Sequence, residues 1–134
     1  MSNNIRETYV THFQKAMGQS LDAELSIDLL QLRMDLIKEE VRELEVEVGA
    51  ICYQLAKSKE PSTQQLENMV KELTDVMYVT SGFAVTFGIP VQPAFVRVHK
   101  SNMTKLVDGK PMLRDDGKVI KGPNYKPPTM KGLI

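Results

Sequence analysis

IDLLQLRMDLIKEEVRELEVEVGAICYQLAK, residues 27–57, sets Leu30, Met34, Ile37, Val41, Leu44, Val48, Ile51 and Leu55 at steps of three and four, with no proline between them. That period predicts one long helix with a single buried seam, and Cys52, within its apolar series, reads as a buried, inert thiol. The same stretch packs Glu39, Glu40, Glu43, Glu45 and Glu47 into nine residues. Carboxylates three and four apart on a helix repel one another, so something must offset the cost. Glu40 and Glu43 each precede a seam residue and lie about 100° from it, which lets them flank the buried face.

Downstream, Ser58-Lys59-Glu60-Pro61-Ser62 breaks the pattern, and Ser62 with Gln65 three residues on is a capping-box signature. A second long helix follows, with Leu66, Val70, Leu73, Met77, Thr80 or Ser81, and Ala84 on one face, and it stops at Phe87-Gly88-Ile89-Pro90. The short connection makes the pair a helical hairpin. Upstream, Ile5, Tyr9, Val10, Phe13 and Met17 predict a short amphipathic helix ended by Gly18, and a fourth helix is expected over residues 91–103. Beyond Thr104 the period vanishes. Asp108-Gly109 and Asp116-Gly117 offer tight turns; the second is the better hairpin candidate, since Pro111 weakens the first.

The expected fold is all-α, a helical hairpin-based bundle completed by oligomerisation, with a short C-terminal β-hairpin or extended basic tail. Residues 1–103 form the helical domain and residues 104–134 the tail of that same domain. A hairpin with short flanking helices exposes more apolar seam than one small chain covers, so a homodimer or a dimer of dimers is expected.

Glu72 and Asp75, again three apart, adjoin the second seam. Pairing the helices antiparallel about the break near residue 60 offsets the two acidic pairs by about 6 Å of helix, a span that two carboxylates and a hydrated ion can bridge. Four carboxylates, Glu40, Glu43, Glu72 and Asp75, suit a hard cation, Mg2+ above all, with Mn2+ a possible substitute. Zinc would want a Cys/His cluster, and a di-iron bundle would want Glu-x-x-His, whereas Tyr9 and Val96 stand three residues before His12 and His99.

Charge and composition narrow the classes. The 134 residues carry 17 basic and 17 acidic side chains, which gives no gross pull toward nucleic acid or an anionic membrane. Residues 104–134 hold seven basic residues against three acidic, a net of +4, leaving −4 on the first 103. An acidic body with a basic tail suits a metal site that meets a polyanionic substrate, and equally a merely solvated lysine tail. The polar start and the lack of a long apolar run predict a cytoplasmic protein without a membrane span.

The run Glu39-Glu40-x-x-Glu43 followed by Glu72-x-x-Asp75 resembles the signature of the all-alpha nucleoside triphosphate pyrophosphohydrolases, the superfamily of MazG-like proteins, dimeric dUTPases and phosphoribosyl-ATP pyrophosphohydrolases. The likeness runs from Arg33-Met34-Asp35-Leu36-Ile37-Lys38 through Val98-His99-Lys100-Ser101-Asn102-Met103-Thr104-Lys105. It implies metal-dependent cleavage of a nucleoside triphosphate, a dNTP by preference, between the α and β phosphates, with metal-activated water as nucleophile and a monophosphate and pyrophosphate as products. Glu39 and Glu40 are then the catalytic carboxylates, Glu39 orienting or deprotonating the water, unless it serves a second metal or only faces solvent. Asn102 and Lys105 lie where relatives approach the nucleotide, against the plainer reading of a helix-ending asparagine and a surface lysine. His99 reads as structural. Lys118, Lys121 and Tyr125 are candidate phosphate and base contacts on a closing flap, against the equal reading of an ordered but nonfunctional arm or a subunit-exchange arm.

Two alternatives stand beside this reading. Phosphoribosyl-ATP hydrolysis is the same chemistry on another substrate, and the basic tail on a free-standing chain counts against it. A noncatalytic helical oligomerisation module predicts that Glu40→Gln and Asp75→Asn leave function intact.

Overall fold

The computed structural model describes residues 4–134; residues 1–3, the beginning of the polar start, lie outside them. Four helices follow in order: α1 (Ile5–Ala16), α2 (Ile27–Ala56), α3 (Thr63–Thr86) and α4 (Val91–Met103). The fold is all-α, with no strand among the described residues. No single helix among them is long and apolar enough to cross a membrane. The backbone divides into two compact units, one ending at Gly88 and the other beginning at Ile89.

In the first unit, α2 and α3 form the expected hairpin and α1 packs on α3. The start of α3 is fixed by its capping box: the Gln65 N–H donates to Ser62 Oγ at 3.1 Å, and the Ser62 N–H donates to Gln65 Oε1 at 2.9 Å. Ser26 caps α2 by accepting from the Leu29 N–H at 3.3 Å.

On α2 the predicted seam is turned inward at Leu30, Ile37, Val41, Leu44 and Ile51, with Met34, Val48 and Leu55 exposed, whereas the first part of α3 departs from its predicted stripe. Val10, Ile51 and Ala84 are the buried apolar side chains among the described residues. On α3 the half-buried positions are Gln65, Asn68, Met69, Glu72, Asp75, Val76, Val79, Phe83 and Val85. Of the expected stripe, Leu66, Val70, Leu73 and Met77 are exposed, Val70 at 59% and Leu73 at 49%, while Ser81 and Ala84 at its end are buried. Cys52, expected inside, is exposed as well. The reason is rotational. Over the turns that carry Glu72 and Asp75, α3 turns its carboxylate face inward, so the apolar positions Leu66, Val70, Leu73 and Met77 are left outside.

A polar cluster occupies the place where α1 meets α3. Gln14, only 1% exposed, donates through Nε2 to Thr86 Oγ1 at 3.1 Å and to the Ser20 carbonyl at 2.9 Å. The Thr86 hydroxyl donates onward to the Gly82 carbonyl at 2.7 Å, and Ser81 Oγ donates to Glu7 Oε1 at 2.9 Å. Arg33, 6% exposed, donates through Nη2 to Gln19 Oε1 at a long 3.5 Å. Gly82 makes this approach possible: a Cβ there would stand 3.0 Å from Gln14 Oε1 and 3.5 Å from Arg33 Nη1.

In the second unit, the chain after α4 folds back along the helix. Arg97 Nη1 donates to the carbonyls of Thr129 and Lys131 at 3.0 and 2.8 Å, and Ser101 Oγ donates to the Lys126 carbonyl at 2.7 Å. Both Asp-Gly turns close, including the one beside Pro111. Asp108 and Gly109 take positive φ of 50° and 75°, the signature of a two-residue type I′ turn between Val107 and Lys110. Each turn carries one isolated antiparallel bridge, Val107 to Lys110 and Leu113 to Val119, and neither grows into a ladder.

Candidate metal centre

Glu40 and Glu43 stand one turn apart on α2, and Glu72 and Asp75 one turn apart on α3. The hairpin brings all four together: one carboxylate oxygen from each lies within 4.8 Å of the others. Glu43 is exposed and the other three are half-buried. Burial first, then a hydrogen bond and charge from Glu43, then the charges of Asp75 and Glu39, push the Glu40 carboxyl up to about 7. The Asp75 contribution means that the two helices feel each other's charge.

The donor set fits a hard divalent ion on three counts. Every ligand atom is an oxygen. Two oxygens of these carboxylates, Glu40 Oε2 and Glu72 Oε2, are buried with no hydrogen-bond partner and so are left desolvated and unsatisfied. Four like charges at this separation are also tolerable only with a counter-charge or with protons. Part of that counter-charge is supplied by Lys71, whose Nζ lies 2.8 Å from Asp75 Oδ2 and 3.3 Å from Glu72 Oε1.

The sequence profile of the phosphoribosyl-ATP pyrophosphohydrolases matches residues 10–102, well over half the chain. The chain belongs to that family. A comparison with curated proteins finds no significant match. As a member of the phosphoribosyl-ATP pyrophosphohydrolase family, within the MazG-like all-alpha superfamily, the protein is a hydrolase acting on acid anhydrides, a pyrophosphohydrolase of a nucleotide substrate. The matched region contains all four clustered carboxylates and ends at Asn102, so the whole of the basic tail lies beyond it.

The remaining candidates fall as follows. Glu39 is exposed on α2, outside the group of four. Asn102 is exposed in the last turn of α4. Lys105 and Lys121 each place the Nζ over the Tyr125 ring, 5.9 and 4.8 Å from its centre. Beside them runs a groove of about 500 Å³ lined by Thr104, Leu106, Pro123, Asn124, Tyr125 and Lys126. Lys118 is not part of that arrangement; it sits in the second turn, its backbone N–H on Asp116 Oδ1 at 3.0 Å. His99 is exposed.

Sequence reasoning passed over Lys71. Its signal was the i,i+4 spacing to Asp75, which sets a lysine beside a carboxylate on any helix. The buried Gln14 and Arg33 were also missed. Nothing in a one-dimensional pattern marks a glutamine as core.

Proposed function

We propose that the protein hydrolyses a nucleoside triphosphate, a deoxynucleoside triphosphate by preference, between the α and β phosphates to release the monophosphate and pyrophosphate, with Mg2+ as its cation and Mn2+ as a workable substitute. The convergence of four carboxylate oxygens within 4.8 Å, in a chain of a pyrophosphohydrolase family, carries the reading. Glu40, Glu43, Glu72 and Asp75 would hold the ion. When bound, it supplies Lewis-acid polarisation of the phosphates and makes a water acidic enough to attack near neutral pH. Glu39, next to Glu40 and open to solvent, is assigned to orient that water and accept its proton. Lys105 and Lys121 on the Tyr125 face suit phosphate neutralisation and base stacking, and Asn102 and Lys118 complete the proposed substrate contacts.

The deciding experiment incubates the purified protein with NTPs, dNTPs and phosphoribosyl-ATP, with and without Mg2+, and resolves monophosphate, diphosphate, pyrophosphate and phosphate. Metal-dependent monophosphate plus pyrophosphate from a dNTP supports the reading. Turnover of phosphoribosyl-ATP alone replaces it with the second reading, which the family fits equally. Diphosphate plus phosphate rejects both.

A further inference from the structure

Lys71 combines two properties that seldom coincide. Its side chain is 65% exposed, yet its ammonium is held by two of the four clustered carboxylates, Asp75 and Glu72. Among the described residues no other basic side chain forms a salt bridge with any of the four. Helix stability does not account for this pairing. A cation four residues before an anion is the weaker of the two orientations on a helix, and an exposed pair contributes little in either. One ammonium is also a poor match for four carboxylates, since it leaves Glu40 Oε2 and Glu72 Oε2 unpartnered.

We propose that Lys71 is a built-in counter-cation of the cluster: a divalent ion must displace it, and the freed ammonium then turns to the substrate's phosphates. The inference rests on the cluster being the metal site. A bound divalent ion competes for the same Asp75 and Glu72 oxygens and repels the ammonium, and the long, mostly exposed stem lets it leave without disturbing the core. The displaced charge remains one side-chain length away, where a polyphosphate on the metal would meet it. Lys71 thus weakens the affinity for bare metal and strengthens that for the metal–nucleotide pair.

The test measures Mn2+ binding by the full chain without nucleotide, from the free-Mn2+ electron paramagnetic resonance signal, for wild type, Lys71→Met and Lys71→Arg, with circular dichroism as the check on folding. Removing a unit positive charge this close predicts Mn2+ binding tighter by about tenfold in Lys71→Met, while Lys71→Arg stays near wild type. The KM for Mg2+–nucleotide rises in Lys71→Met although its metal binding is tighter. Unchanged or weaker Mn2+ binding in Lys71→Met overturns the inference, and tighter binding with an unchanged KM overturns its phosphate half. Failure of all three proteins to bind Mn2+ refutes the metal-site reading itself, and the role of Lys71 with it.

Discussion

Between pH 4.5, the ordinary value of a glutamate carboxyl, and about 7, Glu40 keeps its proton in the folded chain while the unfolded chain has lost it. The folded state therefore binds more protons in that window, and the metal-free protein loses stability as pH rises through it. The metal-free Tm is expected to fall between about pH 5 and about pH 8, and saturating Mg2+ to remove most of the slope, because a bound cation neutralises the ionised form. A flat metal-free profile contradicts the burial and crowding assigned to Glu40. Glu40→Gln and Asp75→Asn should each lower turnover by at least about 100-fold while leaving Tm unchanged or higher, since each removes a repelling charge. Thermal melts and product analysis on the same samples separate the two effects. At this scale the four carboxylates were legible, because a spacing of three on each arm of a hairpin leaves few ways to place them. Gln14 and Arg33 were not legible, because their burial depends on the missing Cβ of Gly82, a residue distant in sequence.

Helix existence was easier to read than helix rotation. Ser62 and Gln65 announce the start of α3 because a capping box is local chemistry, and both of its hydrogen bonds are present. Ser62→Ala should cost about 1 kcal/mol, read as a lower denaturation midpoint with an unchanged m-value. Which face of α3 turns inward is a tertiary choice. The period selects the most apolar stripe, whereas the face half-buried in the chain holds Glu72 and Asp75. Gly82→Ala tests how tightly that choice is set at the far end of α3. Its new methyl would stand 3.0 Å from the pinned Gln14 Oε1, and a loss of about 1 to 3 kcal/mol is expected, whereas Gly49→Ala, whose Cβ meets nothing within 4 Å, should be neutral or stabilising. The tail resisted reading for another reason. Its anchors are the main-chain carbonyls of Lys126, Thr129 and Lys131, taken by Ser101 and Arg97, and carbonyls leave no residue signature.

For the whole molecule, the question is how a chain whose buried apolar residues are Val10, Ile51 and Ala84 stays folded. Burial of a few side chains, each worth roughly 1.5 to 3 kcal/mol, falls far short of the conformational entropy of a helical domain. Meanwhile Leu66, Val70, Leu73 and Met77 on α3 join Ile5, Tyr9 and Phe13 on α1 as exposed apolar surface. Along the same flank a cleft of about 190 Å³ opens between α1 and α3, lined by Tyr9, Val10, Met77 and Tyr78 among others. We propose that a second copy lies against this flank, an arrangement that would turn two open hairpins into one closed four-helix core. The proposed homodimer, alone or as half of a dimer of dimers, therefore has a surface on which to be tested. Val70→Glu and Leu73→Glu change neither the carboxylate cluster nor any hydrogen bond seen in the chain. If the flank faces solvent, both variants should keep the wild-type mass in light scattering and the wild-type Tm, because a glutamate is at home on a wet helix face. If it is covered by a partner, each introduces an unpaired buried charge, and the expected result is a fall toward the 15.1 kDa of one chain with a lower, concentration-dependent Tm.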